Sequence, residues 1–288
     1  LTGFCILTAA LTATISDQVP VGQRGYVSGW LSAPQAIGIV LGVVLVTYVF
    51  VGSLLGYTAM AVLLLLLVTP FLFLPDAALP KALKQKMTFG GIVESLWISP
   101  REYPDFGWTL LSRILVNFGN AFGTTLLLYF LEFGLHDAHA DDDLLVLILI
   151  YTAFVILASL LIGYWSDRLG RRKVFVFVSS AIQGVAALLL AFVPELSVAM
   201  IAAGLLGLGY GCFLSVDQAL ATQVLPDPES RGKDLGIMNI ATAVPQAIAP
   251  LIGAGVVAML GGFVGLFVMA GLFAFAGALA VARVKAVR

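Results

Sequence analysis

Within the apolar stretch 107–131, Arg113, Asn117, Asn120 and Thr124 recur at intervals of four, three and four residues. On a helix of 3.6 residues per turn those steps keep all four side chains in one sector. A guanidinium, two amides and a hydroxyl aligned this way can hold a polar solute by hydrogen bonding. They contain no nucleophile–base pair that could break a bond. A charge at the centre of an apolar span costs ~2.5–3.5 kcal/mol on insertion scales, so such residues face a bundle interior or a wet cavity. A competing account has Arg113, under two turns from the span's start, reaching back to the headgroups while the amides join helices.

Similar stripes occur elsewhere. Asn239, Thr242 and Gln246 share a face of the run 235–259, which also carries Pro245 and Pro250. Ser28, Ser32 and Gln35 accompany Pro34 in the run 28–51, and Gln183 stands alone in 174–193. Proline removes a backbone hydrogen bond and bends a helix, and bent helices border the cavities of transporters. Singly, each of these residues reads as helix–helix glue. Together they predict a polar pocket at mid-membrane.

The carboxylates divide differently. Asp17, Asp217 and Glu132 lie near span ends and are candidates for carrying a proton. For Asp17 and Asp217 the stronger reading is structural, as partners of Arg24, Arg231 or the cations of the loop 163–173. His136, His139 and Asp141 to Asp143 fall in a connection, where the acids suit the start of the next helix. The sequence holds no paired Cys/His ligand set, no H-E-x-x-H, no phosphate loop and no nucleophile elbow, so neither an enzyme nor a cofactor or metal site is expected.

The elements that must position these groups are membrane spans. The chain has 288 residues, 60% hydrophobic and only 11% charged, against about 25% charged in soluble domains. Its net charge of −1 offers no footprint for nucleic acid. Cys5 and Cys212 both lie in apolar runs and read as packing residues. Nine spans are expected, at 1–16, 28–51, 56–75, 107–131, 144–165, 174–193, 197–219, 235–259 and 262–282. Of the 15 Lys and Arg residues, all but Arg113 fall in one alternate set of connections or the tail. By the positive-inside rule that set is cytoplasmic, with the C-terminus. Gly38-x-x-x-Gly42, Gly119-x-x-x-Gly123 and Gly207-x-x-x-Gly211 are helix-packing devices.

Between the runs Leu144–Trp165 and Val174–Val193 lies Gly163-Tyr-Trp-Ser-Asp167-Arg168-Leu-Gly170-Arg171-Arg172-Lys173, expected to be a tight charged turn. Gly170 permits a left-handed turn. Asp167 can pair with Arg168, Arg171 or Arg172, or with a helix N-terminus. The pattern G-x-x-x-D-R-x-G-R-R-K resembles the signature loop of the major facilitator superfamily of secondary transporters. The resemblance implies an all-α polytopic bundle of twelve spans, nine of them present in this chain, with a loop that acts as a conformational latch.

An internal repeat agrees. Ser16-Asp17-Gln18, Arg24-Gly25-x-x-x-Gly29 and Pro34-Gln35-Ala36-Ile37 recur in order as Val216-Asp217-Gln218, Arg231-Gly232-x-x-x-Gly236 and Pro245-Gln246-Ala247-Ile248. Parallel repeats are what two facilitator halves show. The expected organisation is 1–75 as the last three spans of an N-terminal half, 76–106 as a cytoplasmic linker and 107–288 as a six-span C-terminal half. Phe89, Ile92, Val93, Leu96 and Trp97 would give the linker a short interfacial helix.

The stretch Arg231–Gln246 is similar to sucrose-type transporters of the glycoside–pentoside–hexuronide branch. That implies a sugar or glycoside moved with a proton or other cation across the plasma membrane. Drug efflux within the same superfamily is the alternative, and a non-transporting membrane sensor a more distant one.

Overall fold

The computed structural model describes residues 19–45, 53–73, 101–224 and 231–285. The expected span at 1–16, Asp17 and the linker helix around Phe89–Trp97 lie outside the described residues. Among those described, every regular element is helical. A 3-10 turn, Val21–Gln23, leads into α1 (Arg24–Val44). It is followed by α2 (Ser53–Leu72), α3 (Pro104–Thr125), α4 (Ala140–Leu169), α5 (Arg172–Phe192), α6 (Leu196–Ala221), α7 (Arg231–Met259) and α8 (Gly262–Ala282). Five of these, α4 to α8, are long and apolar enough to cross a membrane. The bent pair Pro104–Thr125 and Leu127–Gly134 makes a sixth span.

The chain forms two compact units, one of residues 1–34 and 98–288, the other of 35–97. In the smaller unit α2 is apolar throughout its middle, with Val62 to Leu67 all exposed, as suits a face turned to lipid.

In the larger unit the helices pack in the order α4, α6, α5, α8, α3, α7. Small residues set the closest approaches. A Cβ on Gly207 would stand 2.2 Å from the Tyr151 carbonyl oxygen, and one on Gly211 2.3 Å from that of Val155, so α6 and α4 touch backbone to backbone. Gly119 on α3 meets Ala270 of α8 in the same way, and Ser112 Oγ donates to the Gly277 carbonyl 2.8 Å away. In lipid, where apolar burial drives little association, such contacts hold helices together. A Cβ on Gly38 or Gly42 would meet no described atom within 4 Å.

Two boundaries differ from the sequence expectation. Gly163 to Leu169 is helical, so Asp167 sits on the last turn of α4 rather than in a turn. The connection shrinks to Gly170 and Arg171. Gly170 closes α4 with φ +62°, its N–H donating to the Ser166 carbonyl at 2.9 Å, a left-handed cap that a side chain would strain. The expected span 107–131 is broken at Leu126, where the axis turns by 44°. Just before the break Thr124 Oγ1 donates to the Asn120 carbonyl at 2.9 Å. Such back-bonding bends helices, and a π turn, Phe130–Gly134, follows. At the start of α4, Asp141, Asp142 and Asp143 occupy the first turn, where carboxylates complement the helix dipole. Asp137 accepts the His139 N–H at 3.0 Å, and this hydrogen bond holds its carboxyl below the usual range.

Candidate functional site

Arg113 is buried in α3, 3% exposed, and its guanidinium meets the carboxylate of Asp217 on α6, 2% exposed. Arg113 therefore does not reach the headgroups. The described cation beside Asp217 is Arg113 of α3, where the sequence suggested Arg24, Arg231 or the loop 163–173. The reason is helix phase: Arg113 points into the bundle toward α6, and a buried ion is tolerated only beside its counter-ion. Only Asp217 Oδ2 is engaged. Asp217 Oδ1 is buried with no hydrogen-bond partner among the described residues.

One turn along α3, Asn117 Nδ2 donates to the Arg113 carbonyl at 2.8 Å. Its Oδ1 accepts the Tyr210 hydroxyl of α6 at 3.2 Å. That hydroxyl in turn accepts Gln246 Nε2 of α7 at 3.4 Å. Asn117, Tyr210 and Gln246 thus link three helices. Farther on, Asn120 and the Tyr151 hydroxyl of α4 lie 3.3–3.4 Å apart through both amide atoms. The rings of Tyr151 and Tyr210 stack at 6.5 Å, and Tyr210 stacks on Phe213 at 6.2 Å. The result is a seam of charge, amide and phenol flanked by aromatic faces, reaching four of the larger unit's helices.

Of the residues singled out from the sequence, the structure brings Arg113, Asn117, Asn120, Gln246 and Asp217 into this seam. Asn239 lies on α7 two turns before Gln246, half-buried, with its Nδ2 buried and unpartnered among the described residues. Thr124 spends its hydroxyl on its own helix. Gln183 is elsewhere: its side chain is buried against Gly209 at the α5–α6 contact, with Nε2 3.4 Å from the Ser179 carbonyl. Gln35 belongs to the smaller unit and is exposed there. Glu132 is exposed in the π turn.

Tyr151 and Tyr210 were not anticipated. Their signal was present: Tyr210 lies seven residues before Asp217 and so shares its helix face. A tyrosine in an apolar run reads as packing, however, until its hydroxyl is seen to have partners.

A second cluster lies where α4 ends. The Asp167 carboxylate accepts the backbone N–H of Gly25 at 3.1 Å and of Tyr26 at 2.8 Å, both in the first turn of α1. It also accepts Arg172 Nη2 at 2.7 Å. The acid therefore caps a helix N-terminus, whose free N–H groups carry partial positive charge. Arg172 Nη1 donates 3.1 Å to the carbonyl of Ala219, near the end of α6, where helix carbonyls lack intrahelical donors. Arg168 and Arg171 are exposed and make no ion pair with the described residues. Arg24 donates its Nε to the Val19 carbonyl at 3.1 Å, and the side chain of Arg231 lies outside the described residues.

Below the cap α1 and α4 cross at bare backbone. A Cβ on Gly29 would stand 2.2 Å from the Ser159 carbonyl oxygen, and one on Gly163 2.5 Å from that of Gly25. Gly25-x-x-x-Gly29 thus faces Ser159-x-x-x-Gly163, small residues against small residues.

No curated protein matches the chain significantly. The family model of the Major Facilitator Superfamily matches residues 114–287, more than half of the chain. That stretch carries Asp167, α4 to α8 in full and every seam residue but Arg113, which lies just before it. The chain is a multi-pass helical membrane protein, and it belongs to the major facilitator superfamily of secondary transporters.

Proposed function

We propose that this protein carries a sugar or glycoside across the plasma membrane by alternating access, together with a proton or another cation. The observation that carries the reading is the seam Asn117–Tyr210–Gln246, extended by Asn120 and Tyr151. Amides and phenols supply donors and acceptors in one place, which a hydroxyl-rich solute needs. In this reading 107–288 is one half of the transporter, 76–106 the linker, and the basic connections with the C-terminus face the cytoplasm. Asp17, Asp217 and Glu132 are the candidates for the coupling carboxylate.

Alternating access requires a contact that one state makes and the other breaks. The Asp167 cap on α1, together with the Gly25–Gly29 crossing, has that character. It joins distant parts of the chain through a few strong, directional bonds that separate as a unit. Gly163, Asp167, Gly170 and Arg172 form the latch, and Arg168 and Arg171 lie at its rim.

Counterflow of labelled sugars and glycosides into proteoliposomes tests the reading. Uptake above that of protein-free vesicles is expected, and its absence for every sugar tried would sink the sugar assignment. Drug efflux has one observation in its favour. Between α3 and α7 lies a cavity of about 170 Å³ lined by Leu110, Ile114, Ile237, Ile240, Val244 and Pro245, among others. An apolar cargo would fit there, and drug-resistance assays on cells producing the protein distinguish it.

A further inference from the structure

On α6, Asp217 follows Tyr210 by seven residues, and on α7, Gln246 follows Asn239 by seven. Each pair shares a helix face and is separated by about 10 Å along the axis, at 1.5 Å per residue. The two helices run in opposite directions, joined through the short segment 222–230. Gln246 and Tyr210 are in hydrogen-bond contact. Two turns from that contact toward the latch, Asp217 and Asn239 therefore stand at the same depth.

At that depth Asp217 Oδ1, an acceptor, and Asn239 Nδ2, a donor, are buried without a partner among the described residues. Gln218 Oε1 is likewise unpartnered, but one residue on from Asp217 it lies on another face of α6. Burial of an unpaired polar atom is unfavourable, so the shared depth of Asp217 Oδ1 and Asn239 Nδ2 points to a ligand group that serves both. Asp217 already has a counter-ion, because its Oδ2 is committed to Arg113. An anionic group would meet Asp217 with like charge, and a cationic one would compete with Arg113. A hydroxyl suits both atoms, since it donates one hydrogen bond and accepts others.

We propose that Asp217 and Asn239 form a binding subsite for a hydroxyl of an uncharged solute, with Arg113 holding Asp217 in place. The subsite rests on the transport reading above and deepens it by fixing the charge class of the solute. The contact Tyr210–Gln246 is a second subsite, about 10 Å deeper at the same helix rise.

The test uses the reconstituted protein and counterflow of neutral pentoses, hexoses and glycosides beside their uronate and amino-sugar counterparts. The neutral member of each set is expected to move at least tenfold faster at limiting concentration. Asn239→Ala should raise its KM about tenfold with little change in kcat. For the monodeoxy analogue lacking the bound hydroxyl, whose KM is already high, Asn239→Ala should add no further rise. A purely structural role for Asn239 would raise both alike.

Asp217→Asn leaves Arg113 unpaired and can fail to fold. The double variant Arg113→Met/Asp217→Asn removes both charges, retains an acceptor and should still prefer the neutral sugar. Preference for the uronate or the amino sugar, or an unchanged KM in Asn239→Ala, overturns the subsite while leaving sugar transport standing. If no member of any set moves, the transport assignment and the subsite fall together.

Discussion

Asp167 and Gly25 are 142 residues apart in sequence, yet the Gly25 N–H donates to the Asp167 carboxylate at 3.1 Å. The acid that ends α4 is thus the cap that begins α1. Its oxygens also accept Tyr26 N–H and Arg172, so one ionised group holds the start of a helix and a guanidinium together.

Replacing Asp167 with Asn keeps the size and removes the charge. Hydrogen bonds to charged groups contribute about 1.5–3 kcal/mol, and 1.4 kcal/mol is tenfold in an equilibrium. Asp167→Asn should therefore lower transport by about tenfold or more, with expression near normal. Transport at the wild-type rate in proteoliposomes would count against a latch.

The α1–α4 crossing gives a steric test. Gly29→Ala places a methyl group against the Ser159 backbone and must push the helices apart. Labelling of a cysteine at position 159 should quicken in the Gly29→Ala background. Gly38→Ala, on the same helix with nothing described within 4 Å, should leave the rate unchanged. Equal labelling in the two backgrounds would refute the crossing.

The buried pair predicts strong non-additivity. Removing one member of a buried ion pair costs about 3–5 kcal/mol, because the other charge is left uncompensated, whereas replacing both can be nearly neutral. Thermal unfolding in detergent should show a large drop in Tm for Arg113→Met and recovery of most of it in Arg113→Met/Asp217→Leu. Additive losses would mean that the two side chains do not interact.

Orientation follows from the cation distribution. With the basic connections inside, a cysteine at position 140 should react with a membrane-impermeant maleimide from the outside of intact cells. One at the exposed position 168 should react only after permeabilisation. The reverse pattern would invert the assignment.

The sequence by itself determined the helical class, most span positions and the family. These depend on local quantities: apolar run length, the spacing of charges and the offsets Gly163, Asp167 and Gly170, all fixed by covalent order. It also placed Arg113, Asn117 and Asn120 on one face, because helical phase is a local property. Partner choice was another matter. Nothing local singles out Arg113 as the counter-ion of Asp217, or Arg172 over Arg168 and Arg171 as that of Asp167. Those choices were made by which helices the small residues allow to touch. Gly207 and Gly211 bring α6 against α4, and Gly25 and Gly29 bring α1 against the end of α4. Only that packing set Tyr210 between Asn117 and Gln246, since a hydrogen bond between helices depends on ångström-scale axial register, which a single run of sequence does not encode.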